Sequence, residues 1–270
     1  MLVALLNNIR ITAAAAQRGG EFHCPSCGKE LVLKKGRVVV HHFAHKPPVL
    51  CGWARGETLA HLEAKQLVHA ALTARGVKAE LEFSVETLPG DRRADVMAWS
   101  PTGRMIAIEL QHTSISAEEI AERAFAYARA GAAQIWISFL PGPVWKEALD
   151  KGGGTWIVRR YAPRQFELWI DGLTAKAGRW MYDPHSKQFW LAKMMPHEIH
   201  DEETIWYAPG GIEHYRPARK RVSKKYRDLV LEGPYGLEAL RVTLRSRRAF
   251  SLKTHRWPAG AVANLVPAEE

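Results

Sequence analysis

Two features that the sequence lacks narrow the class of protein at once. No apolar run approaches the roughly 18 residues needed to span a bilayer, so we expect no membrane partner. The apolar start Met1–Leu6 is cut short by Asn7, Asn8 and Arg10 and has no basic segment before it, which predicts an opening strand rather than a signal peptide. Cysteine is scarce too, with three in 270 residues. An odd, low count without a signal peptide argues against a disulfide framework and predicts a cytoplasmic protein.

Acidic residues are too few to balance the basic ones. The chain has 38 Lys and Arg against 28 Asp and Glu, a formal net charge of +10. The excess is uneven, because residues 1–150 carry 17 basic and 15 acidic side chains whereas residues 151–270 carry 21 and 13. A hydrophobic content of 47% predicts a packed globular fold. The basic excess favours a polyanionic partner, nucleic acid above all, over a general contribution to solubility.

All three cysteines fall within a short segment that is also rich in histidine. Cys24-Pro-Ser-Cys27-Gly has the outline of a zinc knuckle, since two thiolates separated by two residues can face one ion. The preferred ligand set is Cys24, Cys27, His45 and Cys51. The alternative uses His42 together with His45, and the other two histidines of the segment are weaker candidates. With four protein ligands no position stays open for water, so we expect a structural Zn²⁺.

Hydrophobic periodicity predicts a mixed α/β (α+β) core. Residues 57–75 show an apolar stripe at helical spacing, and Gly76 ends this helix. A second helix begins at Ser116, where Glu119 completes a capping box, and runs to about Ala130. β-branched and aromatic runs bounded by turn residues predict strands elsewhere. The strands predicted in this part are Leu31–Leu33, Val38–Val40, Ala79–Val85, Arg93–Trp99, Met105–Gln111 and Ala133–Phe139.

Past the glycine run at residues 152–154 the pattern changes to short strands around turns. These strands are predicted at Trp156–Tyr161, Phe166–Ile170, Arg179–Tyr182 and Gln188–Lys193. Six of the ten tryptophans lie past residue 150, and we expect most of them to pack a core rather than to stack on bases. The basic candidates for nucleic-acid binding here are Arg219, Lys220, Arg221, Lys224 and Lys225. Phosphate contact needs little geometry, so this role competes evenly with that of a solvated face.

Two carboxylates in apolar strands give the sharpest chemical signal. Arg93-Ala94-Asp95 lies in one predicted strand, and Ile108-Glu109-Leu110-Gln111 lies in the next. Alternation places Glu109 and Gln111 on one face of their strand. Apolar strands rarely hold a carboxylate without a use for it, because burying an unpaired charge is costly. Asp95 and Glu109 on neighbouring antiparallel strands can chelate a hard cation such as Mg²⁺ or Mn²⁺, and a bound water can then attack a phosphodiester.

The first helix adds three polar residues at four-residue steps. Glu57, His61 and Lys65 would project from one face of this helix. Glu57 could join the metal site, while His61 and Lys65 could hold phosphate or assist proton transfer. The alternative is a solvated helix face with ordinary Glu–Lys support. The carboxylate pair next to it favours the catalytic interpretation.

In this order the motifs resemble the CoiA-like competence protein family. The resemblance covers roughly residues 1–140 and rests on short motifs. These motifs are Cys24-Pro-x-Cys27, His42-Phe-Ala-His45, Glu57-x₃-His61-x₃-Lys65, Arg93-x-Asp95 and Ile108-Glu109-x-Gln111. The resemblance implies a PD-(D/E)XK, restriction-endonuclease-like core behind a small zinc-binding β module, associated with DNA processing and recombination in natural transformation. It also implies that Asp95 and Glu109 bind the catalytic metal.

One position departs from the wider superfamily pattern. Gln111 stands where that superfamily usually has lysine, and an amide can hydrogen-bond the attacking water but cannot help to deprotonate it. His61 or Lys65 could supply the missing function. We expect three parts: a zinc-binding module over residues 1–54, a nuclease-like core over residues 55–150 and a basic, Trp-rich, β-rich region over residues 151–270.

These observations predict a metal-dependent deoxyribonuclease, in which Gln111 positions the attacking water and Arg93 contacts nucleic acid. The alternative is a non-catalytic protein that binds DNA, including single strands, and delivers it to a recombinase partner. Gln111 and the basic C-terminal half favour that alternative. A zinc-dependent hydrolase built on the Cys/His cluster is disfavoured, because four close ligands leave no open coordination position.

Overall fold

The computed structural model describes residues 1–48, 50–54, 57–87, 91–174 and 178–268. Over these residues the chain is a mixed α+β protein, as predicted, with more strand than helix. Its larger sheets have five strands near the N-terminus and eleven strands in the remainder. No helix in the described ranges combines the length and apolar character needed to cross a membrane.

The N-terminal sheet is a small antiparallel module with strand order β2-β1-β3-β4-β5. Its strands are β1 (Val3–Leu6), β2 (Ile9–Thr12), β3 (Phe22–His23), β4 (Glu30–Lys34) and β5 (His42–His45). The predicted strand Val38–Val40 is wrong. Val38 is 94% and Val39 37% exposed, so these two residues have no packed surface that would favour a strand. The strand that pairs with β4 begins at His42 instead.

The core follows the predicted order of helix, three strands, helix and strand. Its elements are α1 (Leu59–Ala74), β6 (Ala79–Val85), β7 (Arg92–Trp99), β8 (Met105–Gln111), α2 (Ala117–Arg129) and β9 (Ala133–Phe139). The side chains of Thr58 and Ser116 cap the two helices by accepting backbone N–H groups three residues on. Gly76, with φ of 72°, takes the left-handed conformation that lets α1 end and the chain turn back.

The two helices cover opposite faces of the core sheet. Alternate residues of β9 show this, because Ile135 and Ile137 pack with α1 whereas Trp136 packs with α2. Strands β6, β7 and β8 pair antiparallel, and β9 runs parallel to β8. Every residue of β9 is buried, which explains its continuous apolar sequence.

The C-terminal half adds many strands and two helices. Its elements are α3 (Val144–Glu147), β10 (Ala148–Asp150), β11 (Thr155–Tyr161), α4 (Gln165–Thr174), β12 (Arg179–Asp183), β13 (Gln188–Asp201), β14 (Thr204–Tyr207), β15 (Glu213–Arg216), β16 (Arg219–Tyr235), β17 (Leu240–Arg247), β18 (Phe250–Ser251), β19 (Arg256–Trp257) and β20 (Gly260–Pro267). The predicted strand Phe166–Ile170 is wrong, since this segment lies in α4. Phe166, Trp169, Ile170 and Leu173 recur at helical spacing and bury one face.

These later strands continue the core sheet. The order runs β10-β11-β16-β13-β12-β9-β8-β7-β6, and β12 and β20 both pair parallel with β9. The prediction that most C-terminal tryptophans form core is confirmed, because Trp169, Trp180, Trp190 and Trp257 are buried. The boundaries after residues 54 and 150 stay predictions, and the second of them falls between strands of one sheet.

Candidate metal centres

The side chains predicted to bind zinc meet at one end of the N-terminal module. Cys24 directly follows β3, His45 ends β5, and Cys51 precedes a 3₁₀ turn at Gly52–Ala54. The ligand atoms of Cys24, Cys27, His45 and Cys51 all lie within 4.8 Å of one another. Sγ of Cys24 is 3.9 Å from Sγ of Cys51, and Sγ of Cys27 is 3.3 Å from Nε2 of His45. The structure thus brings together the preferred set.

The spacing of these atoms fits a tetrahedral ion. Zinc–sulfur and zinc–nitrogen bonds of about 2.3 and 2.0 Å place tetrahedral ligand atoms roughly 3.5–3.8 Å apart. The three cysteines are free thiols. Three thiols and an imidazole are donors that zinc prefers in structural sites, so the cluster could hold a metal such as zinc. His42, the alternative ligand, is outside the cluster, and its Nδ1 lies 2.9 Å from the carbonyl oxygen of Val40.

The protonation of these ligands depends on their burial. Burial raises the pKa of the Cys24 thiol to about 11, so this residue ionises at neutral pH only when a cation shares the site. Burial lowers the pKa of His45, which keeps its imidazole in the neutral form that binds metals. Gly28, with φ of 69°, completes the knuckle by donating its N–H to the Cys24 carbonyl oxygen at 2.9 Å.

A second cluster joins the first helix to the core sheet. Glu57 lies just before α1, His61 lies in its first turn, and Asp95 lies in β7. One ligand atom from each lies within 4.8 Å of the other two. Nε2 of His61 is 3.2 Å from Oδ2 of Asp95, and Nδ1 of His61 is 3.9 Å from Oε1 of Glu57. The imidazole therefore lies between the two carboxylates.

Lys65 is completely buried beside this cluster and neutralises its acids. Its Nζ lies 2.5 Å from Oε1 of Glu57 and 2.5 Å from Oε1 of Glu82 in β6. Burial acts to lower the pKa of Lys65, but Glu82, Asp95 and Glu57 raise it above its usual value. Burial acts to raise the pKa of Glu57, but Lys65, the amino group of Met1 and Arg93 lower it to about 2. Both partners are therefore charged at neutral pH.

Asp95 is held ionised at the point where β7 and β8 separate. The last paired residues of β7 and β8 at this end are Val96 and Ile108. Beyond them, Oδ2 of Asp95 accepts a hydrogen bond from the N–H of Leu110 at 2.9 Å, in place of a hydrogen bond between the two backbones. Burial acts to raise the pKa of Asp95, but His61 and Lys65 lower it well below its usual range. A buried, ionised carboxylate next to an imidazole can bind a divalent cation.

Glu109 is close to Asp95 but has other partners. Its Oε2 accepts a hydrogen bond from Arg123, and its Oε1 accepts one from the Tyr127 hydroxyl, both donors lying on α2. Burial raises the pKa of Glu109 to about 7 although Arg123 opposes the rise, and the charge of Asp95 adds to it. Among the described residues, the group of metal-ligating atoms at Asp95 does not include Glu109.

Gln111 is buried at the end of β8 and serves the following loop. Its Nε2 donates to the carbonyl oxygen of Thr113 at 2.6 Å and lies 3.4 Å from the Thr113 hydroxyl. The amide nitrogen of Gln111 is therefore occupied by Thr113. This leaves the carbonyl oxygen of the Gln111 side chain as the group that could accept a hydrogen bond from a water.

Aromatic and basic side chains surround the second cluster. The guanidinium of Arg93 lies over the Trp53 ring at 4.4 Å from its centroid, and Nη2 of Arg93 is 3.5 Å from Oε1 of Glu57. The His112 ring stacks on His61, with centroids 4.3 Å apart. Trp53 lies two residues after Cys51, so the segment that provides a ligand of the Cys/His cluster also provides an aromatic ring next to the second cluster.

Comparison with known families covers both centres. Residues 6–54 match the model of the N-terminal domain of competence protein CoiA, and residues 57–141 match the model of its nuclease-like domain. Together the two models match just under half of the chain, and over these residues it is similar to the CoiA family. The predicted resemblance is confirmed. The zinc-binding candidates lie in the first CoiA domain, and Glu57, His61, Asp95 and Glu109 lie in the second.

Individual proteins match the chain over shorter parts of its length and at low to moderate sequence identity. The chain is 32% identical over 117 residues to competence protein CoiA of Bacillus subtilis (strain 168), a match that covers 43% of this chain and 31% of that protein. The chain thus spans about a third of the length of this relative. The crystal structure of the protein of unknown function AF1548 aligns at 16% identity with a TM-score of 0.24, over 29% of this chain and 46% of that one.

Apart from Arg93, the basic residues predicted to bind nucleic acid lie outside the two CoiA-like domains. Arg219, Lys220, Arg221, Lys224 and Lys225 are all exposed in the outer half of β16. Two of them form ion pairs across the ribbon, Lys220 with Glu198 at 2.7 Å and Arg221 with Asp201 at 2.9 Å. Exposed pairs of this kind contribute little to stability, so these cations remain available to phosphates.

Sequence reasoning missed three residues of the CoiA-like core. Glu82 lies in the apolar context Leu81-Glu82-Phe83, the same signal that singles out Glu109, and its φ of 49° is rare for a residue other than glycine. Arg123 and Tyr127 lie four residues apart on α2, a spacing that places both on one helix face. Only the packing of α2 on the sheet shows that this helix face is opposite Glu109.

Proposed function

We propose that this CoiA-like chain is a metal-dependent DNA nuclease that acts in DNA processing and recombination, as in natural transformation. The observation that supports the proposal is the cluster of half-buried Glu57 with buried His61 and Asp95, whose ligand atoms lie within 4.8 Å of one another although Asp95 is distant in sequence. A charged group of this kind is costly to bury, so its presence in a nuclease-like domain favours a chemical use.

The donor set suits Mn²⁺ and Mg²⁺. Two carboxylates provide the oxygen ligands that both ions prefer, and the His61 imidazole favours Mn²⁺ over Mg²⁺. When bound, such an ion neutralises charge on a phosphodiester and makes a water molecule more acidic. Glu109 can join as a further ligand only after its carboxylate leaves Arg123 and Tyr127, so we assign the resting ion to Glu57, His61 and Asp95.

The remaining polar residues orient the ligands and bind the substrate. Lys65 is fully buried between two carboxylates, so it holds Glu57 in place and does not reach solvent or a water nucleophile. Arg93 is partly exposed next to Glu57 and can bind a phosphate oxygen. The side-chain oxygen of Gln111 orients the attacking water without accepting its proton. His61 acts here as a metal ligand, so its acceptor nitrogen is not free to take up that proton.

The Cys/His cluster holds a structural Zn²⁺ in this proposal. Four protein ligands close its coordination sphere, so its role is to fold the module that carries Trp53 toward the second centre. The three free thiols around one centre also support a location in the reducing cytoplasm.

The decisive experiment is cleavage of single- and double-stranded DNA with added Mn²⁺ or Mg²⁺. Asp95→Asn and His61→Ala are each expected to lower the cleavage rate at least about 100-fold, because each removes a metal ligand. Asp150→Asn makes the same chemical change at an exposed position and should leave the rate unaltered. Equal cleavage by the wild type and both site variants would remove the proposal.

A non-catalytic DNA-binding protein that delivers DNA to a recombinase is the second candidate. It is favoured by the engagement of Glu109 with Arg123 and Tyr127 and by the engagement of Gln111 with Thr113. It predicts salt-sensitive DNA binding that survives in Asp95→Asn, together with no cleavage by the wild type under any divalent ion.

A further inference from the structure

A two-stranded arm extends from the C-terminal half of the chain. The pairing of β11 with β16 ends at Tyr161 and Arg227, and beyond it β13 and β16 continue as a ribbon that the β14–β15 hairpin caps. We call residues 197–226 the arm. Four large side chains on the two strands of the hairpin are well exposed: Ile205 at 55%, Trp206 at 45%, Tyr207 at 67% and Tyr215 at 58%. Exposed aromatic residues gathered at one place indicate an interaction surface.

The hairpin register sorts these side chains onto two faces. Residues directly opposite in an antiparallel pair share a face, and alternate residues of one strand share it too. Trp206 pairs with His214 and Thr204 with Arg216, so these four residues lie on one face. Ile205 pairs with Tyr215 and Tyr207 with Glu213, which places them on the other face.

The first face has a stacked pair of aromatic rings, which we call the platform, with a cation beside it. The rings of Trp206 and His214 are stacked on one another, with planes 12° from parallel and centroids 5.3 Å apart. Arg216 lies two residues beyond His214 on the same face, about 7 Å along the strand. A platform next to a guanidinium suits an unpaired base with its phosphate alongside.

Carboxylates distinguish the second face from the first. Tyr207 donates its hydroxyl to Oε2 of Glu213 at 3.1 Å, and Tyr215 donates to Oε2 of Glu203 at 3.4 Å. Acidic groups next to these tyrosines would repel a phosphate backbone. The face with Trp206 is therefore the one whose charge is complementary to nucleic acid.

The cations of the arm are concentrated on the limb that returns from the hairpin. The returning limb, residues 213–226, has six Lys and Arg and one acidic residue, whereas the outgoing limb, residues 197–207, has four acidic residues and no Lys or Arg. Within the described part of the arm, no acidic side chain lies within ion-pair distance of Arg216, Arg219 or Lys224. A strand of phosphates could follow this limb toward the core.

We propose that the arm binds single-stranded DNA, with one base extending the Trp206–His214 stack and with phosphates held by Arg216, Arg219 and Lys224. This assignment rests on DNA being the substrate class of the proposed function. A duplex cannot stack on the platform, because its bases are stacked on one another and do not present a free ring face.

The test is fluorescence anisotropy of a labelled oligothymidylate with the full chain, its zinc retained and no Mn²⁺ or Mg²⁺ added. Trp206→Ala is expected to weaken binding about 10-fold or more, as the loss of one stacked base does. Trp206→Phe keeps a ring and should restore most of the affinity. Tyr215→Ala removes an equally exposed ring from the opposite face and should bind like the wild type. An unchanged unfolding temperature establishes that each variant is folded.

The outcomes separate this assignment from the function that it extends. If the wild type and Trp206→Ala bind the oligonucleotide equally well, the assignment of the platform to base stacking is wrong. The exposed aromatic face would then be assigned to a protein partner. Equal weakening by Trp206→Ala and Tyr215→Ala also overturns it, because the faces then do not differ. If the wild type binds no DNA, both the platform and the proposed function fail.

Discussion

The hydroxyl of Tyr127 donates a hydrogen bond to Glu109 inside the protein, and Arg123 binds the other oxygen of the same carboxylate. Burial raises the pKa of Tyr127 well above its usual value, so the phenol stays protonated and remains a donor. A similar trio lies outside the metal centre, where Tyr161 and Arg164 bind the buried carboxylate of Glu167. The two trios provide matched variants for separating metal chemistry from stability.

Removing the Tyr127 hydroxyl should ease the entry of Glu109 into the metal centre. A hydrogen bond to a charged group contributes about 1.5–3 kcal/mol, and it must break before the carboxylate can turn toward Asp95. Tyr127→Phe is therefore expected to bind Mn²⁺ about 10-fold more tightly, measured by calorimetry or by electron paramagnetic resonance. Tyr161→Phe is the control and should bind Mn²⁺ like the wild type. Unchanged or weaker binding by Tyr127→Phe would mean that this hydroxyl does not hold Glu109 back.

Deleting the Glu109 carboxylate should destabilise the fold. Glu109→Ala leaves Arg123 and the Tyr127 hydroxyl without their acceptor in a buried setting, and we expect the free energy of unfolding to fall by about 3 kcal/mol. Glu122→Ala, on an exposed position of the same helix, should change it by less than about 0.5 kcal/mol. Urea unfolding measures both values. Similar losses for the two variants would contradict the buried ion pair.

Lys65 should matter far more than a surface lysine. Lys65→Met leaves Glu57 and Glu82 as buried carboxylates deprived of a shared cation, which is expected to lower the free energy of unfolding by about 3–5 kcal/mol. Lys46 pairs with Glu30 at the surface, where both side chains are more than half exposed, and Lys46→Met should cost less than about 1 kcal/mol. A mild effect at Lys65 would show that the buried pairs do not form in solution.

Metal analysis should find zinc in the N-terminal module. We expect Cys24→Ser to lose the metal and with it the order of the segment that carries Trp53, because the binding free energy of a structural zinc also stabilises the fold. His42→Ala changes a histidine outside the cluster and should keep the zinc. Plasma emission spectrometry of the purified proteins decides the point. Loss of zinc from His42→Ala alone would assign the site to the alternative ligand.

Local patterns predicted the core well because its strands and helices have strong periodic signals. The bounds of β6, β8 and β9 agree with the predicted ranges, and the capping residue Ser116 is where the sequence indicates it. The ligands of the Cys/His cluster were also accessible, since thiol spacing restricts which residues can face one ion.

What the sequence could not supply depends on contacts between distant segments. The partners of Glu109 come from α2, and no local pattern tells which helix faces a given strand. Glu82 needed the sheet register and the position of Lys65 to acquire a role. The arm was missed because β13 continues to Asp201, past the predicted end at Lys193, along residues that are half exposed and have no strong alternation.

The shared sheet has a consequence for anyone who shortens this protein. β9 is bordered on one side by β8 and on the other by β12, with β20 at its beginning. Ending the chain after residue 150 would remove β12 and β20 and leave one edge of β9 without a partner strand. The unpaired backbone N–H and C=O groups of this edge, next to Ile137 and Trp136, would favour self-association. The half that holds the candidate metal centres and the half that holds the arm therefore depend on one another to fold, and a lesion in either half can misfold both.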